Sequence, residues 1–263
     1  MMRGKRIAGW VFAFACTVMA GCGFSLAAEG YGLYKNAVQT VSLEEKVNEI
    51  RSRESFTSLE EMPETYVQAV VAVEDHRFYE HFGLDLIAIG RALVNDIKAG
   101  RYVEGGSTIT QQLAKNLYFS QEKTMNRKAA EVFLALELER NYTKDEILEL
   151  YVNSIYFGDG YYNVGEASEG YFGKPAAKMN DYECTLLAGI PNAPSRYAPT
   201  RNPGLAARRQ QQVLRRMEAC GHPISSSTKS RAAAYASQTA PVQTEQRTGG
   251  AKTAPVLGFA GGI

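Results

Sequence analysis

Ten residues, Glu74-Asp75-His76-Arg77-Phe78-Tyr79-Glu80-His81-Phe82-Gly83, concentrate three acids, two histidines, an arginine and three aromatics, side chains that suit acid–base chemistry. The uncharged run Tyr66-Val67-Gln68-Ala69-Val70-Val71-Ala72-Val73 precedes them. Pro63 suits a helix start, where its missing N–H costs nothing. A helix reaching Glu74 stacks that residue on Val70, on one face. A carboxyl at the end of a buried helix loses hydration, so its pKa rises, as a general base or acid of sugar chemistry requires. A solvated helix end with ordinary surface charge explains the stretch equally well when it is read alone.

A second stretch lies downstream: Gly105-Gly106-Ser107-Thr108-Ile109-Thr110-Gln111-Gln112, then Leu113-Ala114-Lys115-Asn116. The glycines relax the backbone. Thr108 and Gln111 form a capping box that starts a helix. That helix start, with hydroxyls and Lys115 beside it, suits a phosphate. A third run, Arg127-Lys128-Ala129-Ala130-Glu131, sits on a helix from about Met125 to Arg140, for which Ala129, Val132, Phe133 and Leu136 are the expected core stripe. Alone, Arg127 and Glu131 read as a plain ion pair on one helix face.

In this order and spacing the runs resemble the peptidoglycan glycosyltransferases, family 51 of the glycosyltransferases and the transglycosylase domain of class A penicillin-binding proteins. Glu74, Asp75, Phe78, His81 and Gly83 fit every fixed position of the family's Glu-Asp-x-x-Phe-x-x-His-x-Gly motif. Lys144 to Gly158 resembles a further motif, with Tyr151 and Asn153 expected mainly to hold the fold. The resemblance covers roughly residues 60–220. It implies an all-α, lysozyme-like domain with a small membrane-proximal lobe, and a groove with Glu74 and Glu131 on opposite sides. Glu74 and Glu131 are the implied catalytic pair, the first as base and the second as a charged organiser that its cationic neighbours favour in ionised form. The implied substrate-binding residues are Asp75, Phe78, His81, Gly83, Ser107, Thr108, Gln111, Gln112, Lys115, Lys123, Arg127, Lys128 and Asn153.

The implied activity is polymerisation of lipid II into glycan strands, with release of undecaprenyl pyrophosphate and inversion at the anomeric carbon. No organic cofactor is implied; a divalent cation, Mg2+ or Mn2+, is a candidate. Implied partners are lipid II, the growing glycan, the bacterial cytoplasmic membrane and a separate penicillin-binding transpeptidase. Two other classes stand beside this one: a lysozyme-like glycan-cleaving enzyme and a non-catalytic scaffold for wall assembly. Clustered cations and the membrane segment weigh against the first, and the paired glutamates against the second.

The rest of the chain positions these runs. Apolar content of 45% with 22% charged residues is that of a globular protein, and a net charge of +1 gives no basic footprint for nucleic acid. Arg3, Lys5 and Arg6 precede the uncharged segment Ile7 to Ala28. As a helix it spans about 33 Å, enough for a bilayer core. The basic flank places the remainder outside the cytoplasm, so residues 1–28 are expected to be a single-pass membrane anchor. A signal-peptidase site at Ser25-Leu26-Ala27 and a lipoprotein box at Met19-Ala20-Gly21-Cys22 are the competing readings.

Residues 29–60 are expected to be a connector, loop-like at Glu29-Gly30-Tyr31-Gly32, with a short helix capped by Ser42. Leu84, Ile87, Ala88, Leu93, Val94 and Ile97 mark a helix, read as domain core or as a face dipping into the bilayer. Tyr161, Tyr162, Tyr171 and Phe172 line a sugar cleft or fill a corner. Arg208, Arg209, Arg215 and Arg216, on a helix begun by Asn202-Pro203, are expected to be a solvated face. Cys184 and Cys220 are expected as thiols rather than a disulfide. The glycosyltransferase domain is thus placed at 61–220, and 221–263 is expected to be a disordered tail. Ser226-Ser227-Thr228-Lys229 matches the S-x-x-K of penicillin-binding transpeptidases, but the 34 residues after Lys229 are too few for that domain.

Overall fold

The computed structural model describes residues 2–101, 105–119, 122 and 124–239. These form an all-α structure. In chain order the helices are α1 (Met2–Thr40), α2 (Leu43–Arg51), α3 (Glu64–Glu74), α4 (Leu86–Ala99), α5 (Ile109–Tyr118), α6 (Met125–Asn141), α7 (Lys144–Val152), α8 (Val164–Phe172), α9 (Asp181–Ala188), α10 (Pro194–Tyr197), α11 (Pro203–Ala219) and α12 (Ser226–Gln238). An isolated bridge between Gly158 and Tyr161 is the extended pairing among the described residues.

Side-chain caps set most helix starts. Thr108, Thr143 and Asn180 close full capping boxes with Gln111, Glu146 and Glu183, each satisfying backbone N–H groups that a helix start leaves unpaired. Pro63 sits one residue before α3, which ends at Glu74 itself. The core gathers Tyr66, Phe78, Leu113, Leu134, Leu148, Tyr151 and Leu187 from α3, α5, α6, α7, α9 and the turn after α3.

Several local expectations change in three dimensions. Glu29 to Gly32 is helical, inside α1. A Cβ on Gly30 would lie 2.4 Å from that of Ala129, so glycine lets α1 press directly on α6. Asn126 also donates to Glu29 at 2.5 Å. The stretch expected as a connector is therefore part of the packed body, and Leu43, Val47 and Ile50 of α2 are buried in its core. The deepest face of α6 is Ala130, Glu131, Leu134, Ala135 and Leu138, not the expected stripe at 129, 132, 133 and 136. With α1 on one side and the core on the other, α6 has no solvated half to make its pattern readable.

α4 reverses the core expectation. Of its side chains only Ala92 is buried, while Leu86 and Ile97 are 75% and 71% exposed and Ile87, Leu93 and Val94 are also open. Its cap Asp85 accepts from Ala88 N–H and pairs with Arg77, which fixes the helix start while its apolar face looks outward. Helix α12 forms within the stretch expected to be disordered from residue 221; it packs by Ala232 and through Arg231 over the Tyr182 ring. Residues 240–263 lie outside the described residues. Cys22, Cys184 and Cys220 are free thiols. Among the described residues no helix is long and apolar enough to cross a membrane.

Candidate active site

A cleft of about 720 Å3 opens where α3 ends, α5 begins and α11 crosses above them; Glu74, His76, Ser107, Gln112, Lys115 and Arg209 are among its lining residues. The apolar run of α3 carries Glu74 to the cleft wall, with a side chain only 6% exposed. Burial pushes its carboxyl pKa up; the Gln112 amide, the Arg209 guanidinium and the Lys115 ammonium oppose that rise. Gln112 Nε2 donates to Glu74 Oε2 at 3.1 Å. The Tyr151 hydroxyl, buried in the core, donates to Gln112 Oε1 at 3.2 Å and so fixes the amide's direction. Tyr151 thus acts on the site through Gln112.

Glu131, with a side chain 2% exposed, is not among the residues that line this cleft. Arg127 Nε lies 2.9 Å from one carboxylate oxygen and Lys128 Nζ 2.9 Å from the other. Lys128 also donates to Ser107 Oγ at 2.7 Å, so the buried carboxylate anchors a cation that holds the cleft-lining serine. Burial lowers the pKa of Lys115, and the charges of both Glu131 and Glu74 oppose that fall.

Other motif residues build the frame. Asp75 accepts from Ile109 N–H at 3.1 Å and meets His81 Nε2 at 3.0 Å, tying the turn after α3 to the start of α5. Thr108 donates to the Gly83 carbonyl at 2.7 Å. Gly83 sits at φ +75°, and a Cβ there would meet the Ala135 carbonyl oxygen at 3.3 Å, so the close turn requires glycine. Phe78 is buried, with the Lys144 ammonium 4.4 Å from its ring centre. Gln111 is consumed by the capping box. Asn153, 1% exposed, accepts from Thr57 N–H and donates to the Thr57 and Glu149 carbonyls; it fastens the chain before α3 to α7 and does not line the cleft. Lys123 lies outside the described residues.

The start of α5 is not an open phosphate seat. Asp75 takes Ile109 N–H, Thr108 takes Gln111 N–H, and the Thr110 hydroxyl donates to Glu139 at 2.6 Å. The cationic surface comes instead from Lys115 and from α11, whose Arg209, Arg215 and Arg216 line the cleft; Arg208, Arg215 and Arg216 are exposed, as a solvated face would be, and Arg209 alone is turned inward. The sequence holds a trace of this, because Arg209 and Arg216, seven residues apart, fall about two helical turns apart on one side of α11.

Among the described residues Asp75, His81 and Asp85 are the acidic and imidazole groups close enough to share a metal ion. They do not fit one. Asp85 is bound to Arg77 and caps α4, while Asp75 is bound to Ile109 and His81, so a cation would have to displace a guanidinium and a helix contact.

A family model described as Transglycosylase matches residues 41–218. The chain belongs to the transglycosylase family. Penicillin-binding protein 1A of Aquifex aeolicus (strain VF5) is 47% identical over 162 residues, 62% of this chain and 22% of the relative. Penicillin-binding protein 2D of Bacillus subtilis (strain 168) is 49% identical over 163 residues, 62% of this chain and 24% of the relative. This transglycosylase chain therefore spans under a quarter of the length of these relatives. A crystal structure of penicillin-binding protein 1A from Haemophilus influenzae, 22% identical, overlaps 67% of this chain and 17% of that one with a TM-score of 0.38.

Proposed function

We propose that this chain is a peptidoglycan glycosyltransferase that polymerises lipid II into glycan strands. One observation carries the proposal: a buried carboxyl, Glu74, on the wall of a cleft whose lining also holds Arg91, Lys115, Arg209, Arg215 and Arg216. The Glu74 carboxylate takes the proton of the 4-hydroxyl of the incoming lipid II sugar. The freed oxygen pair forms a bond to the anomeric carbon of the growing chain. The bond from that carbon to the lipid pyrophosphate breaks on the opposite face, so the configuration inverts and the electron pair leaves with the pyrophosphate. Lys115, Arg215 and Arg216 supply positive charge where the leaving group gathers negative charge. Glu131 organises Arg127 and Lys128. No step is assigned to a divalent cation.

A hydrolytic reading has no use for clustered cations beside a desolvated base, and a scaffold has no use for a carboxyl held by a Tyr151–Gln112 relay. The uncharged segment Ile7 to Ala28 and the open apolar face of α4 fit a lysozyme-like domain held by a single-pass anchor on the outer face of the cytoplasmic membrane. A separate transpeptidase would cross-link the product.

Purified protein is incubated with labelled lipid II in detergent and run on a gel beside Glu74→Gln. A glycan ladder from the parent alone is the expected result. No ladder from a folded parent, or a full ladder from the variant, overturns the assignment.

A further inference from the structure

We propose that Arg209 is a positioning residue: a fixed counter-charge that keeps Glu74 ionised without hydrogen-bonding to it. The inference rests on the polymerase reading. Glu74 Oε2 is held by Gln112, while Oε1 is buried with no hydrogen-bond partner among the described residues. Arg209 Nη2 faces Oε1 from α11 at 3.7 Å, beyond hydrogen-bond length.

The guanidinium is held in that place by other groups. Its Nε donates to the Gly189 carbonyl at 3.3 Å and its Nη1 to Gln212 Oε1 at 3.1 Å. The Tyr197 ring lies 5.9 Å from it. Gly189 also makes room for the side chain, because a Cβ at 189 would lie 3.0 Å from Arg209 Cγ. Every tether holds the cation near Glu74, and none brings it into contact.

That spacing matches what a buried base needs. Without a counter-charge, desolvation leaves the carboxyl protonated and useless as a base. With a direct charge-assisted hydrogen bond, the carboxylate is held too strongly to take a proton readily. A cation just beyond bonding distance lowers the cost of the charge and leaves lone pairs free. The other charged or titratable groups facing Glu74 are Asp75 beside it, Tyr66 on α3, Lys115 on α5 and Tyr151 on α7; the two buried tyrosines stay neutral because burial holds their pKa values well above the usual range. Among the described residues Lys115 is the other cation that acts directly on Glu74, and burial weakens its hold on its own proton.

The test is the pH profile of polymerisation for the parent, Arg209→Gln and Arg209→Lys with labelled lipid II. The acidic limb of Arg209→Gln is expected at higher pH, so that its deficit is about tenfold larger at the acidic end than at the alkaline end. The loss falls on kcat more than on KM, and Arg209→Lys restores much of it. A deficit equal at every pH, or one confined to KM, overturns the inference and makes Arg209 a substrate contact or a packing residue. If Arg209→Gln does not fold, Gly189→Ala displaces the guanidinium with its charge kept, at a backbone φ of −78° that alanine accepts. Its deficit is read in the same way, growing toward acid in support and uniform against. A parent that makes no glycan removes the polymerase reading itself, whereas an active parent with a pH-independent variant removes only this inference.

Discussion

Replacing Glu131 by glutamine separates a residue that organises the site from one that touches substrate. The parent carboxylate is 2% exposed between Arg127, 14% exposed, and Lys128, 38% exposed. Removing one member of a buried ion pair costs about 3–5 kcal/mol, because the partner stays desolvated and unpaired. Lys128 retains partial hydration, so the lower figure applies, about 3 kcal/mol. For a domain of this size each kcal/mol moves the melting temperature by about 2–4 °C, giving a fall of about 6–12 °C. Activity falls too, since Lys128 loses its anchor and with it the Ser107 contact. Adding Lys128→Met removes the stranded cation and recovers part of the stability but none of the activity. Thermal melts followed by circular dichroism, run beside the lipid II assay, read both effects. A Glu131→Gln protein that melts within about 2 °C of the parent yet makes no glycan refutes the reasoning, because a loss without destabilisation means that Glu131 acts on the substrate itself.

Asn153→Ala strands the Thr57 backbone groups and costs about 1–3 kcal/mol of stability by urea unfolding. Its KM for lipid II stays at the parent value, and a raised KM with unchanged stability would restore it as a substrate contact. Lys115, its pKa lowered by burial, loses its charge at a lower pH than an ordinary lysine; polymerisation therefore declines on the alkaline side as the cation disappears. Lys115→Arg stays charged throughout, so its alkaline decline is expected to weaken, and an unchanged limb in the pH profile contradicts this. Leu93→Glu with Ile97→Glu on the open face of α4 leaves the melting temperature nearly unchanged and reduces sedimentation with lipid vesicles. A collapse of stability would return that face to the core.

Helices and caps were legible because they are local. Thr108 with Gln111 and Thr143 with Glu146 announce helix starts through side chains three residues apart, and no distant contact is needed to read them. Glu74 was legible for the same reason: an uncharged run that stops at a carboxyl implies a desolvated acid at a helix end. Residue types and spacing also carried the family. Where a helix has neighbours on both sides, or on neither, the pattern misleads. α6 is pressed between α1 and the core, so its periodicity did not reveal that Glu131 lies on the deepest face. α4 has an apolar stripe that packs on nothing within the described chain, and composition cannot distinguish such a face from a buried one.

Tertiary structure alone decided which groups share the cleft. Arg209 comes from a helix more than a hundred residues beyond Glu74 and reads in sequence as one more surface arginine. Only the crossing of α11 over the end of α3 sets it at 3.7 Å from a buried oxygen. In the same way, the Thr108–Gly83 and Asp75–Ile109 bonds consumed the donors and acceptors that made the start of α5 look like a phosphate site. A sequence lists the hydrogen-bonding groups available in each segment. Which of them remain unpaired, and therefore free for chemistry, depends on long-range packing that bonds the others to one another.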